Sequence, residues 1–191
     1  MNQRARSPRV DAVPQERRLD LRTLFDGHYG SIWRLLRRLG VRTAQLDDAA
    51  QEVFWVAARR LGHIVPGSEA AFLYGVALRV AASEVRRQAS SAPLAALDDV
   101  APLGDGRPSP DEQLEQSRAR ALLDDALDRL PHELRAVLVL VEIEGLEVRE
   151  VAAIEGIPLG TASSRLRRAR EEFGAIARRM RARLGLERGD G

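Results

Sequence analysis

Four arginines, Arg165, Arg167, Arg168 and Arg170, fall within six consecutive positions, directly behind the small residues Gly160, Thr161, Ala162, Ser163 and Ser164. A guanidinium is a planar fork of donors that matches a guanine edge or a phosphate. Small residues ahead of such a cluster let the backbone come close to another molecule. If they open a helix, its unpaired N–H groups add a preference for phosphate. This is the chemistry of binding a polyanion rather than of making or breaking a bond.

The cluster needs an element to aim it. Ala162, Leu166, Ala169, Phe173, Ile176, Met180 and Leu184 recur in steps of three and four, which predicts one amphipathic helix from near Pro158 to Leu184. Thr161, Ser164, Arg165 and Arg168 then face outward, Arg167 and Arg170 flank them, and Ser163 completes the hydroxyls of the first turn. Just upstream, Gly156 suits a left-handed turn and Pro158 suits a helix start, where its missing N–H is not needed. The short segment Glu147–Gly156 before it reads as a helix, so the spacing is that of a helix-turn-helix. A solvated arginine face has the same composition; the turn directly before it favours DNA.

The whole chain is built for helices. It has 191 residues, 45% hydrophobic and 30% charged, with Ala, Leu, Arg and Glu dominant and few β-branched or aromatic runs. Two helical blocks flank a Pro-, Gly- and Ser-rich stretch without sustained periodicity. In the first block, Leu24, His28, Ile32, Leu35 and Leu39 share one face of a helix that Gly40 ends. Leu46, Ala49, Ala50, Val53, Val56, Ala57 and Leu61 share a face of a second, ended by Gly62. A third opens after Ser68 and turns Phe72, Val76, Val80 and Val85 inward. The second block holds a helix from Asp111 to Leu130, another from Pro131 to Gly145, and the helix-turn-helix pair. The expected fold is all-α: two small helical domains at 19–89 and 111–185, a flexible linker at 90–110, a disordered tail at 1–18 and a short tail at 186–191.

Charge is split between the blocks. Asp111 to Glu155 holds twelve acids and five arginines, a balance of −7, whereas Thr161 to Arg183 holds eight arginines and two acids, a balance of +6. Opposite balances side by side predict two different partner surfaces. There is no cysteine, so thiolate metal sites, disulfides and cysteine nucleophiles are excluded. His28, His63 and His132 lie on separate elements and form no metal-binding or catalytic spacing. No glycine loop for phosphate and no nucleophile elbow occurs. No enzyme and no cofactor is expected. No apolar run approaches membrane-spanning length, and the charged N-terminus lacks the apolar core of a secretory signal, so a cytoplasmic location is expected.

The stretch from Leu130 to Glu171 resembles region 4 of bacterial sigma-70-type factors of the extracytoplasmic-function group. The carrying residues are Leu130-Pro131, Arg135, the turn Glu144-Gly145-Leu146, and the Gly160–Arg170 run. Asp47 to Arg59 resembles region 2.2 of the same family, and Ala71 to Arg87 resembles regions 2.3 and 2.4. The resemblance covers roughly residues 19 to 184. It implies a transcription initiation factor that binds core RNA polymerase and promoter DNA, with an anti-sigma partner. It assigns Asp47, Asp48, Gln51, Glu52 and Trp55 to polymerase docking. Tyr74, Arg79, Ser83, Arg86 and Arg87 fall to the −10 element, with Tyr74 placed to capture an unstacked base. Thr161, Ser163, Ser164, Arg165, Arg167, Arg168 and Arg170 fall to the −35 element. For Asp47 and Asp48 a helix N-terminus is an equal explanation.

Departures from the family pattern are Phe72 where tryptophan is usual, Arg79 where asparagine is usual, Glu147 at a serine-type cap, and Glu155 where a leucine normally precedes the turn glycine. The last puts a carboxylate near the packed side of the turn. A stand-alone helix-turn-helix regulator would account for the second block but not the first. A polymerase-binding module without promoter selectivity would account for both and leave the arginine face unused.

Overall fold

The computed structural model describes residues 19–90 and 110–183, with side chains of the second span from Arg118 onward. The expected tails, Leu184 and nearly all of the linker lie outside the described residues. Among those described there are seven α-helices and no strand.

The first bundle is α1 (Leu21–Arg38), α2 (Thr43–Arg59) and α3 (Glu69–Ser90). Asp20 starts α1 by accepting the Thr23 N–H at 3.2 Å, and Arg37 and Arg38 in its last turn suit the carbonyl end of the helix dipole. Gly40 ends it with φ +95°. Leu24, Ile32, Leu35, Leu39, Leu46, Val53, Leu73 and Val76 fill the centre, as the periodicity requires. Each large aliphatic buried this way contributes about 1.5–3 kcal/mol relative to exposure. α2 ends at Arg59, and Gly62 falls in a 3₁₀ turn, Leu61–His63, instead of capping the helix. The left-handed glycine is Gly67, just before α3.

The second bundle is α4 (Pro110–Asp128), α5 (His132–Leu138), α6 (Val148–Glu155) and α7 (Leu159–Arg183). Between α5 and α6 the expected single helix gives way to a π-helical turn, Val139–Ile143, in which the Glu144 N–H reaches back to the Val139 carbonyl at 3.0 Å. Such a turn inserts about one residue into the helical register, so Glu144 and its neighbours are aimed elsewhere than a regular helix would turn them. Glu147 caps α6 through a capping box, its N–H donating to Glu150 at 2.7 Å, so the departure from serine leaves the helix end satisfied. Gly156 leaves α6 with φ +68°, and the Ile157 N–H bonds the Ala152 carbonyl at 3.0 Å, the left-handed stop foreseen for this turn. Pro158 then accepts the N–H groups of Thr161 and Ala162 at 2.9 and 3.1 Å and starts α7.

The two bundles are not loose bodies. α3 packs on α6 and α1 on α4, and the buried side chains of both form one continuous core. Arg135, buried at 7% exposure, bonds Asp128 at 2.9 Å and lies against Gly40 of the first bundle. A Cβ on Gly40 would run into the Arg135 guanidinium, so this junction favours glycine for space as well as for φ.

Candidate nucleic-acid and partner interfaces

The packed side of α7 is Ala162, Leu166 and Ala169, continued by half-buried Phe173, Ile176 and Met180. Opposite it, Thr161, Ser164, Arg167 and Arg168 form the outward face. The Arg167 and Arg168 side chains are 72% and 66% exposed and pair only with Glu171 and Glu172 one turn on, both at 2.7 Å. Ser163 is exposed beside them, and the Ser164 hydroxyl donates to the Thr161 carbonyl.

Arg165 departs from its expected place. It is turned to the flank, 27% exposed, and bonds Glu155 at 3.0 Å. Arg170 lies on the other flank and holds Glu142 at 2.6 Å. The reason is angular: both are about 100–120° round the helix from the outward centre, where acids from elsewhere in the second bundle reach them first. Glu155 neither reaches solvent nor is lost from the packing. Burial raises its carboxyl above the usual range, the Arg165 guanidinium opposes the shift, and Oε1 has no partner.

Glu155→Leu is therefore expected to stabilise the chain by about 1 kcal/mol at neutral pH, since a half-satisfied buried pair is often no better than an apolar side chain. A carboxyl raised in the folded state contributes stability below its unfolded pKa and loses it as pH rises through the folded one. The advantage of leucine should thus shrink as pH falls toward 4.5. Urea midpoints at pH 7 and in the acid range measure both effects.

On α3, Arg79, Ser83 and Arg86 form an exposed ridge, and Arg87 next to it binds the buried Glu84 carboxylate. Tyr74 does not join this ridge. It lies five residues before Arg79, about 140° round the helix. Its hydroxyl donates to Glu144 of the second bundle at 3.1 Å. Burial and the Glu144 charge push its phenol up to about 12, which keeps it a donor.

Asp48, Gln51, Glu52 and Trp55 line one side of an open groove of about 990 Å³. Asp20, Leu21, Arg22, Phe25, Phe54 and Ala58 line the rest. Trp55 is 61% exposed, with the Arg59 guanidinium 4.6 Å from its ring centre. Asp47 is elsewhere: it accepts the Tyr29 hydroxyl at 3.2 Å and the Trp33 indole N–H at 3.0 Å, which ties α1 to α2. Sequence reasoning missed Leu21 and Phe25. Phe25 is 39% exposed and stacks on Tyr29 and Phe54 at the groove wall. Its position one residue after buried Leu24 turns it roughly 100° from the core, a displacement readable from helix geometry.

Among the described residues no group of three or more His, Asp or Glu side chains could hold a metal ion. No described helix is long and apolar enough to cross a membrane.

A three-helix bundle with an exposed aromatic groove is joined to a helix-turn-helix bundle with an outward arginine face. Sequence comparison agrees with both halves: residues 24–91 match sigma-70 region 2, and residues 120–173 match sigma-70 region 4. The ECF RNA polymerase sigma factor SigE of Mycolicibacterium smegmatis is 33% identical over 146 residues, 76% of this chain and 57% of that protein. The RNA polymerase sigma-H factor of Pseudomonas aeruginosa is 31% identical over 165 residues, 82% of this chain and 84% of that one. A solved sigma factor RpoE from Bartonella quintana, in complex with the anti-sigma factor NepR, has the same fold, with a TM-score of 0.64 at 19% identity over 83% of this chain and 97% of that one. The chain belongs to the extracytoplasmic-function group of the sigma-70 family of RNA polymerase sigma factors.

Proposed function

We propose that the chain directs core RNA polymerase to promoters through three separate faces and performs no bond chemistry of its own. The groove of Asp48, Gln51, Glu52 and Trp55 docks on polymerase: an exposed indole supplies apolar area, and the acids and amide around it supply charge-assisted bonds to basic partners. The ridge of Arg79, Ser83 and Arg86 holds the opened −10 strand by phosphate contact, and Tyr74, on another side of α3, serves base stacking only once it leaves Glu144. The α7 face of Thr161, Ser163, Ser164, Arg167 and Arg168 enters the major groove at the −35 element, with Arg165 and Arg170 on its flanks. Asp47 ties α1 to α2 at the surface of the first bundle.

The observation that carries this reading is that one chain presents both a helix-turn-helix arginine face and an unrelated exposed aromatic groove. Each DNA grip is small, so high affinity needs both held at once on the polymerase. Such a factor works where polymerase and DNA are, in the cytoplasm, and the fold shared with a factor crystallised with its anti-sigma partner makes a protein inhibitor of that kind the expected regulator.

The test is transcription with purified core enzyme on a library of promoter fragments. Specific start sites are expected only when enzyme and chain are both present. A stand-alone regulator, the reading that no comparison supports, would bind operator DNA tightly without polymerase and leave core initiation unchanged.

A further inference from the structure

The four arginines behind the turn are each already held by an acid of the same chain. Arg165 pairs with Glu155 at 3.0 Å, Arg167 with Glu171 and Arg168 with Glu172 at 2.7 Å, and Arg170 with Glu142 at 2.6 Å. Four guanidiniums are thus balanced by four carboxylates. The far end of α7 is different: Arg178, Arg179, Arg181 and Arg183 are exposed and form no ion pair with a described residue. The two acids of Thr161–Arg183 stand at 171 and 172, one turn beyond the outward arginines. Helix stability does not explain them. In both of these pairs the acid follows the base by four residues, the order that supports a helix less well. Glu142 and Glu155 come from outside α7, from the π turn and from α6.

We propose that Glu142, Glu155, Glu171 and Glu172 determine the selectivity of the α7 face: they hold its arginines until a base edge in the right register replaces them, and so keep the chain from binding duplex of arbitrary sequence. This rests on the −35 role proposed above for α7. The geometry of the pairs decides what can break them. Each carboxylate engages its arginine through a single oxygen, Oε2 of Glu155 and Oε1 of the other three. A surface pair of that kind is weak. A guanine edge takes two donors of the guanidinium fork at once, so the exchange favours it. A phosphate met in arbitrary register offers mainly charge, which the carboxylate already supplies. Non-specific affinity comes almost wholly from neutralised phosphates, and that is the contribution the four acids remove. Specificity is a difference of affinities, and weakening the wrong complex raises it as surely as strengthening the right one.

The test neutralises the two acids that hold the outward arginines. Glutamine keeps the length and helix propensity of glutamate, so Glu171→Gln with Glu172→Gln removes charge and little else. Glu155 stays in place, because its charge is also tied to stability. A control, Asp26→Asn with Asp125→Asn, removes the same charge from exposed positions on α1 and α4. Full-length chain is titrated into a labelled mixed-sequence duplex of about 30 base pairs, at salt concentrations of about 50–200 mM. The glutamine pair should bind about tenfold more tightly than the original chain, with a log–log salt slope steeper by about 1–2, since two freed guanidiniums neutralise up to two more phosphates. The control should change affinity by less than about threefold, because charges beyond a Debye length of the DNA are screened. With core enzyme and a promoter from the fragment library, the glutamine pair should lose half of its run-off product at about tenfold less mixed-sequence competitor, as competing non-specific sites then draw the factor away.

Unchanged affinity and slope, or a rise that the control matches, overturns the proposal. So does tighter duplex binding with transcription that withstands competitor as well as before. Arg167→Ala with Arg168→Ala tells these results from a failure of the −35 reading itself. If those two substitutions leave transcription intact, α7 is not the DNA face. If they abolish it while the glutamine pair behaves like the original chain, only the selectivity role of the acids falls.

Discussion

Replacing Arg167 and Arg168 together by alanine is expected to lower transcription from −35-dependent promoters by roughly a hundredfold and to leave affinity for core polymerase unchanged. Each guanidinium that reads a base edge is worth about 1–3 kcal/mol, so two lost forks are ample for a change of that size. The same substitutions should barely touch folding. Both side chains are well exposed, and their pairs with Glu171 and Glu172 are surface contacts within one helix, each contributing about 0.3–0.5 kcal/mol. Run-off transcription, thermal melting and a core-binding titration on one preparation separate these outcomes. Loss of polymerase binding with promoter choice intact would reverse the assignment of α7. Arg165→Ala is a poorer probe. It strips the cation from the mostly buried Glu155 carboxylate, so any loss of transcription would be mixed with a loss of stability. Paired with Glu155→Leu, it becomes a fair test of whether Arg165 leaves its acid to reach DNA.

That contrast marks how far sequence reasoning reaches. The buried stripe of α7 is legible because Ala162, Leu166 and Ala169 recur at the helical period, and the turn before it because Gly156 and Pro158 each favour one conformation. Trp55 is legible as an outward residue because Phe54 beside it points in. Arg165 and Arg170 are not legible in the same way. They sit between the packed and open faces, and their direction is decided by Glu155 and Glu142, which lie 10 and 28 residues away in the chain. Nor does periodicity locate Asp47, whose partners are ring donors on another helix. The junction between the two bundles is the extreme case. Glu144 meets Tyr74 and Arg38 across 70 and 106 residues, and it is aimed there past a π turn that no local pattern announces. Periodicity reports which face of a helix is apolar; it carries no record of which distant charge will stand opposite.

Trp55→Ala should weaken binding to core polymerase by about two orders of magnitude while leaving the melting temperature nearly unchanged. An indole that is 61% exposed in the free chain, at the edge of an apolar groove, contributes little to the core of its own bundle. What it loses internally is the stacking of Arg59 over its ring, worth about 0.5–1 kcal/mol at an exposed site. Buried against a partner, the same side chain becomes the kind of anchor whose truncation costs about 2–4 kcal/mol. The neighbouring Phe25 cannot serve as the probe. Its ring lies 4.8 Å from Tyr29 and 4.9 Å from Phe54, so Phe25→Ala would loosen the α1–α2 contact as well as the groove. A titration of fluorescently labelled chain with core enzyme measures the affinity, and melting of the same sample controls for folding. If the affinity of Trp55→Ala fell by less than about threefold, under 1 kcal/mol, the groove would lose its place as the docking surface. Asp48, Gln51 and Glu52 would then remain only the solvated edge of a helix.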